Sequence, residues 1–458
     1  MLSTLSGAFK VKEIRNKILF TLFVLVIFRL GAYITVPGIN AKALQSVASS
    51  GLVSILNTFS GGGLTNYSVF AMGVSPYITA QIIIQLLQMD IVPKYVEWGK
   101  QGEVGRRKLN QHTKYLTVIL AFFQSVGITA GFNQLSSLNL VQHPSISTYA
   151  TIGIILTGGT MLTTWMGDMI TDRGLGNGIS MIIFAGIVAR IPVGLQHVWQ
   201  TYFVGVSGSD LWQPILFSIA LIIVVLVIVT FTTWVQQAER RIPIQYTRRT
   251  AGSPDSSYLP LKVNVAGVIP VIFASSFIAT PQTILMAFTQ NYSQSTWYQI
   301  LNNLFNMQTP TGAVFYTALI VMFTFFYAFV QVNPEKLSEN LQKQGSYILG
   351  VWPGHETQTY VSNLLMRLSV VGSIFLGVIS LIPLIAQDIW NLDESVGLGG
   401  TSLLIVVGVA IETLRQIRGL MMKREYVGFI SGSRPKDLDS QDSGSKGSNQ
   451  NEPNPQKS

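Results

Sequence analysis

Residues 51–89 read GLVSILNTFSGGGLTNYSVFAMGVSPYITAQIIIQLLQM. The apolar opening, 51–59, reaches only about 14 Å as a helix, half of what a bilayer core requires. It cannot span. Ser60, Gly61, Gly62 and Gly63 then release the backbone, because glycine adopts turn conformations at no steric cost. A second apolar helix is predicted over 68–89.

That second helix carries a graded stripe. At 100° per residue Val74, Ile78, Gln81, Gln85 and Gln88 share one meridian, with Ile83, Leu86 and Leu87 on the far side. Amides cannot face lipid without partners, so this face looks either at a neighbouring helix or at water. The first case is an amide stripe buried against another span. The second is a pore wall, dry at Val74 and Ile78 and wet at the glutamines, with the broken half-helix as its stopper.

The other 419 residues are those of a membrane protein. The 458-residue chain is 48% hydrophobic and 11% charged, with a mean hydropathy of +0.41, which places it in the integral membrane class. Ten apolar stretches lie near 18–36, 68–89, 115–134, 149–170, 178–196, 213–235, 264–289, 311–331, 361–384 and 400–419. They have α-helical span length, and the alternation of a β-barrel is absent. Cysteine is absent and the histidines are scattered (His112, His143, His197, His355), so no disulfide framework or metal-ligand spacing is expected.

The net charge of +9 is distributed by loop. Basic residues precede the first span (Lys10, Lys12, Arg15, Lys17) and fill the loops after the second (Lys94, Lys100, Arg106, Arg107, Lys108, Lys114) and sixth (Arg240, Arg241, Arg248, Arg249, Lys262). Lys336 and Lys343 follow the eighth span, and Lys423 and Arg424 the tenth. The alternate loops hold Lys42 among Asp210, Asp388, Asp393 and Glu394. The positive-inside rule then places both termini in the cytoplasm. The first span lacks a cleavage site and reads as a retained anchor.

Residues 1–17 read as an amphipathic basic helix on the cytoplasmic surface. Arg29 interrupts the first span and must face protein or snorkel. The segment 101–115, QGEVGRRKLNQHTKY, reads as a basic, turn-rich loop that either sets topology or docks a partner. DRGLGNGIS (172–180) joins two spans without a strand, so it is a helical hairpin and not a phosphate loop; Asp168, Asp172 and Arg173 are expected to pair there. Pro243 and Pro254 exclude one rigid helix after span six, and Glu412 and Arg415 form an i,i+3 pair. From 431 to 458 the composition is that of a disordered tail.

No Ser-His-Asp spacing, HExxH or Walker A is present, so an enzyme is disfavoured. Ten spans divide five plus five, as in inverted-repeat transporters. Coupled transporters, however, place ionisable groups at midplane, and no central carboxylate is found. A passive pore for a large substrate needs none; it needs an apolar constriction, vestibules and docking loops.

Five stretches, FSGGGLTNYSVFAMGVSPYI, GEVGRRKLNQHTKYLTV, DRGLGNGISMIIFAGIVA, LPLKVNVAGVIPVIFASS and GGTSLLIVVGVA, resemble the SecY family, channel subunits of the bacterial general secretion translocase. The likeness covers nearly all of 10–430. It implies an all-α membrane protein of ten transmembrane helices in two pseudo-symmetric five-helix halves, 18–196 and 213–430. An external hinge loop, 197–212, would join them around an hourglass pore. The implied plug is 51–63, including Leu52, Ile55, Leu56, Phe59, Gly61 and Gly62. The implied pore ring is Val74, Ile78, Ile183, Ile272 and Ile405, which includes both apolar stripe residues and favours the pore wall over the buried amide face. A lateral gate between the second and third spans and the seventh and eighth would use Thr79, Gln85, Gln124, Ser275 and Ser276.

The same resemblance implies a preprotein channel in the bacterial cell membrane, without catalysis, metal or cofactor, ATP being used by a separate motor. Its implied partners are SecE and SecG, the SecA ATPase, the ribosome with the signal-recognition pathway, preprotein signal sequences and membrane lipid, and no nucleic acid beyond ribosomal RNA. Docking falls on 101–114, 236–262 and 332–360, with Arg106, Arg107, Lys108, Arg240, Arg241, Arg248, Arg249 and Trp352. Two positions depart from the family. Its Arg-Pro-Gly reads Trp352-Pro353-Gly354 here, which keeps bulk but loses the guanidinium fork, and its Glu-Arg reads Gln236-Gln237. An accessory translocase with a dedicated motor and narrow substrate set is the alternative.

Overall fold

The computed structural model describes residues 9–40, 57, 60–89, 91–135, 140–141, 143–203, 212–246, 257–292, 294–390 and 400–430. Each of the ten apolar stretches coincides with a helix: α1 (Lys12–Gly31), α2 (Ser75–Leu87), α4 (Glu103–Leu135), α5 (Ile146–Arg173), α6 (Gly178–Tyr202), α7 (Trp212–Gln237), α8 (Ile269–Tyr292), α10 (Pro310–Gln331), α12 (His355–Trp390) and α13 (Gly400–Ile430). Three short helices lie between them: α3 (Pro93–Lys100), α9 (Thr296–Phe305) and α11 (Pro334–Lys343). Six helices, α4, α5, α6, α7, α10 and α12, are long and apolar enough to cross a membrane, whereas α2 and the apolar part of α8 are shorter.

Three boundaries differ from those expected. The second span starts at Ser75, not 68, because Gly73 takes φ +53° and Pro76 sits in the first turn. A residue before proline resists the helical region and proline tolerates only a helix start, so the chain cannot wind further back. The first helix begins at Lys12, after a bend at Val11 (φ −89°, ψ 112°), so 12–17 continue into the span and are no separate surface helix. The basic segment 103–115 is the start of α4, not a turn-rich loop. Gly105 makes this possible, since a Cβ there would lie 1.8 Å from the Trp98 carbonyl at the α3–α4 corner.

The segments after α7 and α10, in which no strand is expected, form a three-stranded antiparallel sheet. β1 (Glu239–Tyr246) is flanked by β2 (Ser257–Lys262) and β3 (Ser346–Ile348). Ile242 and Ile244 alternate inward, over Leu341, Val361 and Leu365. Pro243 and Pro260 occupy the sheet without breaking it, Pro243 opposite Tyr258 and Pro260 opposite Arg241.

Two ion pairs also differ. Asp168 pairs with Lys114 of α4 at 2.6 Å rather than within its own hairpin. Arg415 reaches Glu239 at 3.4 Å and donates to the Gln236 carbonyl, so it fastens α13 to the root of β1 instead of serving Glu412. Burial, and the Arg415 guanidinium beside it, hold the neighbouring Lys262 below the ordinary lysine range, with Glu412 and Glu239 opposing.

The most extensive helix pairing is α4 against α8, with α2 packed on both; elsewhere α13 touches α6 and α7. The α5–α6 turn is close-packed, since a Cβ on Gly178 would lie 1.8 Å from the Gly167 carbonyl. Gly178→Val is expected to cost about 1–3 kcal/mol, read as a lower thermal-unfolding midpoint in detergent. An unchanged midpoint would contradict the packing.

Candidate functional site

The five ring positions come from four separate helices and meet in one apolar cluster. Val74 precedes α2 and accepts from the Ile78 amide at 3.1 Å, one turn on. Ile183 lies on α6, whose start is fixed by the Asn177 side chain accepting from the amides of Ile179 and Ser180. Ile272 lies on α8 and Ile405 on α13. All five are at most 4% exposed and belong to the same core cluster. Their side chains offer water no hydrogen bond.

Of the plug residues, Gly61 and Gly62 are described, while Leu52, Ile55, Leu56 and Phe59 lie outside the described residues. Gly61 (φ +65°) and Gly62 (φ +88°) make the expected release of the backbone. Asn57 ties the turn: its carbonyl accepts from the Gly62 amide at 2.9 Å, its Oδ1 from the Thr65 amide at 3.3 Å, and its Nδ2 donates to Thr65 Oγ1. Gly61 is wedged in place, for a Cβ there would lie 3.0 Å from Gly186 Cα and 3.1 Å from the Phe28 ring. Arg29 donates to the Gly61 carbonyl.

Below the ring, Gln81, Gln85 and Gln88 border a cavity of about 1190 Å³ that also touches Arg106, Leu261 and His355. The stripe therefore runs from a buried apolar cluster to an open cavity.

Three of the five gate positions surround a residue that the sequence reading missed. Thr280 accepts from Gln124 Nε2 at 2.6 Å, lies 3.0 Å from Thr79 Oγ1, and donates to the Ser276 carbonyl at 3.0 Å. This node joins α2, α4 and α8. Ser276 enters through its carbonyl, its hydroxyl being buried without a partner. Ser275 bonds only to its own helix, at Val271 and Ile272, and Gln85 stands in the vestibule. The available signal was spacing: Ser276 and Thr280 are i,i+4 in the apolar first half of α8, just before Pro281.

Arg106, Arg107 and Lys108 are exposed on the first turns of α4, Lys108 resting 5.6 Å from the Trp98 ring centroid. Arg240 and Arg241 are exposed on β1, with Arg241 4.8 Å over Tyr258. Trp352 is 76% exposed in the turn after β3. The sheet thus brings the two later docking segments together; Arg248 and Arg249 lie outside the described residues. Among the described residues no cluster of metal-ligating side chains occurs.

A family model described as SecY matches residues 68–414. The chain is 64% identical over 430 residues to Protein translocase subunit SecY 1 of Lactobacillus kefiranofaciens subsp. kefiranofaciens, covering 94% of this chain and 100% of that protein. It is 51% identical over 434 residues to Protein translocase subunit SecY of Bacillus subtilis (strain 168), covering 94% and 100%. Among solved structures, one described as the structure of a protein conducting channel matches with a TM-score of 0.62 at 18% identity, over 92% of this chain and 95% of the other. One on the SecY plug domain scores 0.64 at 18% identity over the same shares. At that identity the likeness shows the fold.

Removing the shared hydroxyl tests the node. Thr280→Val leaves the Gln124 amide unpartnered, a loss of about 1–3 kcal/mol. An Ala279→Cys reporter, buried in one cluster with Ile128 and Phe132 of α4, is expected to react with a thiol reagent about tenfold faster in the variant. An unchanged rate would mean that the node does not hold these helices together.

Proposed function

Because the chain belongs to the SecY family, it is a protein translocase subunit and a multi-pass membrane protein with the protein-conducting-channel fold, and we propose how its own residues seal and open that channel. The observation that carries the reading is the convergence of Val74, Ile78, Ile183, Ile272 and Ile405 in one dry cluster directly above an amide-lined vestibule. The match to translocase subunits along 94% of the chain supports a channel over an inverted-repeat transporter, and over an accessory translocase with a dedicated motor.

In the closed state the ring excludes water because branched apolar side chains solvate neither water nor hydrated ions. The segment 51–63 plugs the opening from its glycine hinge. An extended, unfolded preprotein displaces the plug, and the flexible ring side chains close around each passing residue. Hydrophobic segments leave sideways between α2 and α4 on one side and α8 and α10 on the other, by transfer from water to hydrocarbon. The Thr79–Thr280–Gln124 node is the polar part of that seam.

Cytoplasmic termini follow from the charge pattern, ten spans from apolar length, and the likeness to bacterial translocase subunits supports a bacterial cell membrane. The chain works without catalysis, metal or cofactor, and a separate ATPase or the ribosome supplies the drive from the cytoplasmic side. One relative in fold is described as Sec61 in the canine ribosome-channel complex (TM-score 0.60, 18% identity, covering 92% of this chain and 95% of that one). Partners of the SecE and SecG kind complete the assembly. The basic turns of α4, of which Arg106 borders the vestibule, and the paired strands β1 and β3 are the docking surface.

Deleting 53–61 is expected to turn a sealed channel with its small partner into a leaky one in planar bilayers; silence under conditions where a known translocase leaks would refute plug and pore together. Trp352→Ala is expected to lower motor-driven translocation about tenfold while the resting seal is unchanged. Equal transport by the variant would remove Trp352 from docking.

A further inference from the structure

Arg29 is an arginine inside an apolar span, a placement tolerated only where the guanidinium is satisfied. Its fork is divided. Nη1 donates to the Gly61 carbonyl, and Nη2 donates to Tyr33 Oη at 3.1 Å, with the Tyr33 ring centroid 5.0 Å from Cζ. Among the described residues no carboxylate pairs with it. The acceptor is also unusual. Gly61 sits at φ +65°, which turns its carbonyl out of the local ladder, and the neighbouring amides of Gly62 and Gly63 go instead to Asn57 and Ser60. A Cβ on Gly62 would stand 3.4 Å from Arg29 Nη1. The adjacent Phe28, stacked on Phe70 at 5.7 Å, closes the other side of Gly61.

We propose that Arg29 is a positioning residue for the sealed state: it latches the glycine hinge of the plug to the first span through the Gly61 carbonyl. The inference rests on 51–63 being the plug. A guanidinium is always charged and its hydrogen bonds strengthen in a low-dielectric setting. Here its second arm is held by Tyr33, so of the two hydrogen bonds described for Arg29 the one to the hinge carbonyl is the one that plug movement must break. Displacing the plug strands a charge, which biases the resting channel towards closure. Tyr33, in the turn that follows α1, holds the other arm of the fork.

The test is single-channel recording on the full translocase complex in planar bilayers, comparing intact protein, Arg29→Gln, Arg29→Lys, deletion of 53–61, and Arg29→Gln combined with the deletion. Arg29→Gln is expected to raise spontaneous opening about ten- to a hundredfold. Arg29→Lys keeps the charge but not the fork and is expected to fall between. In the deletion, where no plug is left to hold, Arg29→Gln is expected to add nothing. The latch is overturned if Arg29→Gln is as quiet as the intact protein, or if it raises the leak of the deletion by the same factor, which would make Arg29 a packing residue of the first span. Should Arg29→Gln fail to assemble, Arg29→Lys decides alone, and an intact-like seal in that variant overturns the latch. A deletion that does not leak removes the plug reading itself; a leaky deletion beside a silent Arg29→Gln removes only the latch.

Discussion

Hydrocarbon supplies no hydrogen bonds, and the structure follows from that constraint. Most of the apolar stretches meet it as regular helices. The stretch before α2 does not, and it survives by closing its bonds internally. The Val36 amide donates to the Tyr67 carbonyl and the Val69 amide to Ile34, pairing the end of the first span with residues 67–69. The Tyr67 hydroxyl lies 2.6 Å from Thr129 Oγ1 on α4. This knot lets the second helix be only 13 residues long. A short helix puts its N-terminal residues, Val74 and Ile78, into the apolar cluster rather than at a membrane surface.

Much of this was legible because membrane helices write their requirements into composition. Apolar length marked the helices, the Ser-Gly-Gly-Gly run marked the break, and one meridian of α2 separated Val74 and Ile78 from the glutamines. The sheet was not legible from helical periodicity: ERRIPIQY and SYLPLK alternate over few residues, and two prolines argue against strands until the register shows each opposite a residue that asks nothing of it. The partners of Asp168 and Arg415 were assigned from chain proximity, whereas the fold brought Lys114 and Glu239 closer. Thr280 was invisible for a related reason, since a threonine in an apolar helix ordinarily bonds back to its own turn. Only the approach of Gln124 and Thr79 makes it a junction.

The three-stranded sheet changes how the docking segments are understood. Two loops separated in the chain by spans seven and eight share one strand, β1, and one apolar underside formed with α11 and α12. Arg415 ties the base of that strand to α13, and α13 carries Ile405 of the ring. A tilt of the sheet is therefore passed, through an arginine contact and a continuous helix, to the apolar cluster that holds Ile405.

Thr280 has a consequence for substrate choice. Its two contacts across the seam, to Thr79 and Gln124, together contribute on the order of 2 kcal/mol, and a leucine entering the membrane interior gains roughly 0.3–0.6 kcal/mol. About three to seven leucines thus balance the node. On the proposed lateral-gate reading the seam is a comparator: a hydroxyl and an amide, neither charged, define the greasiness at which a passing segment parts the wall, and a single polar side chain more or fewer would move that threshold by the worth of a few leucines.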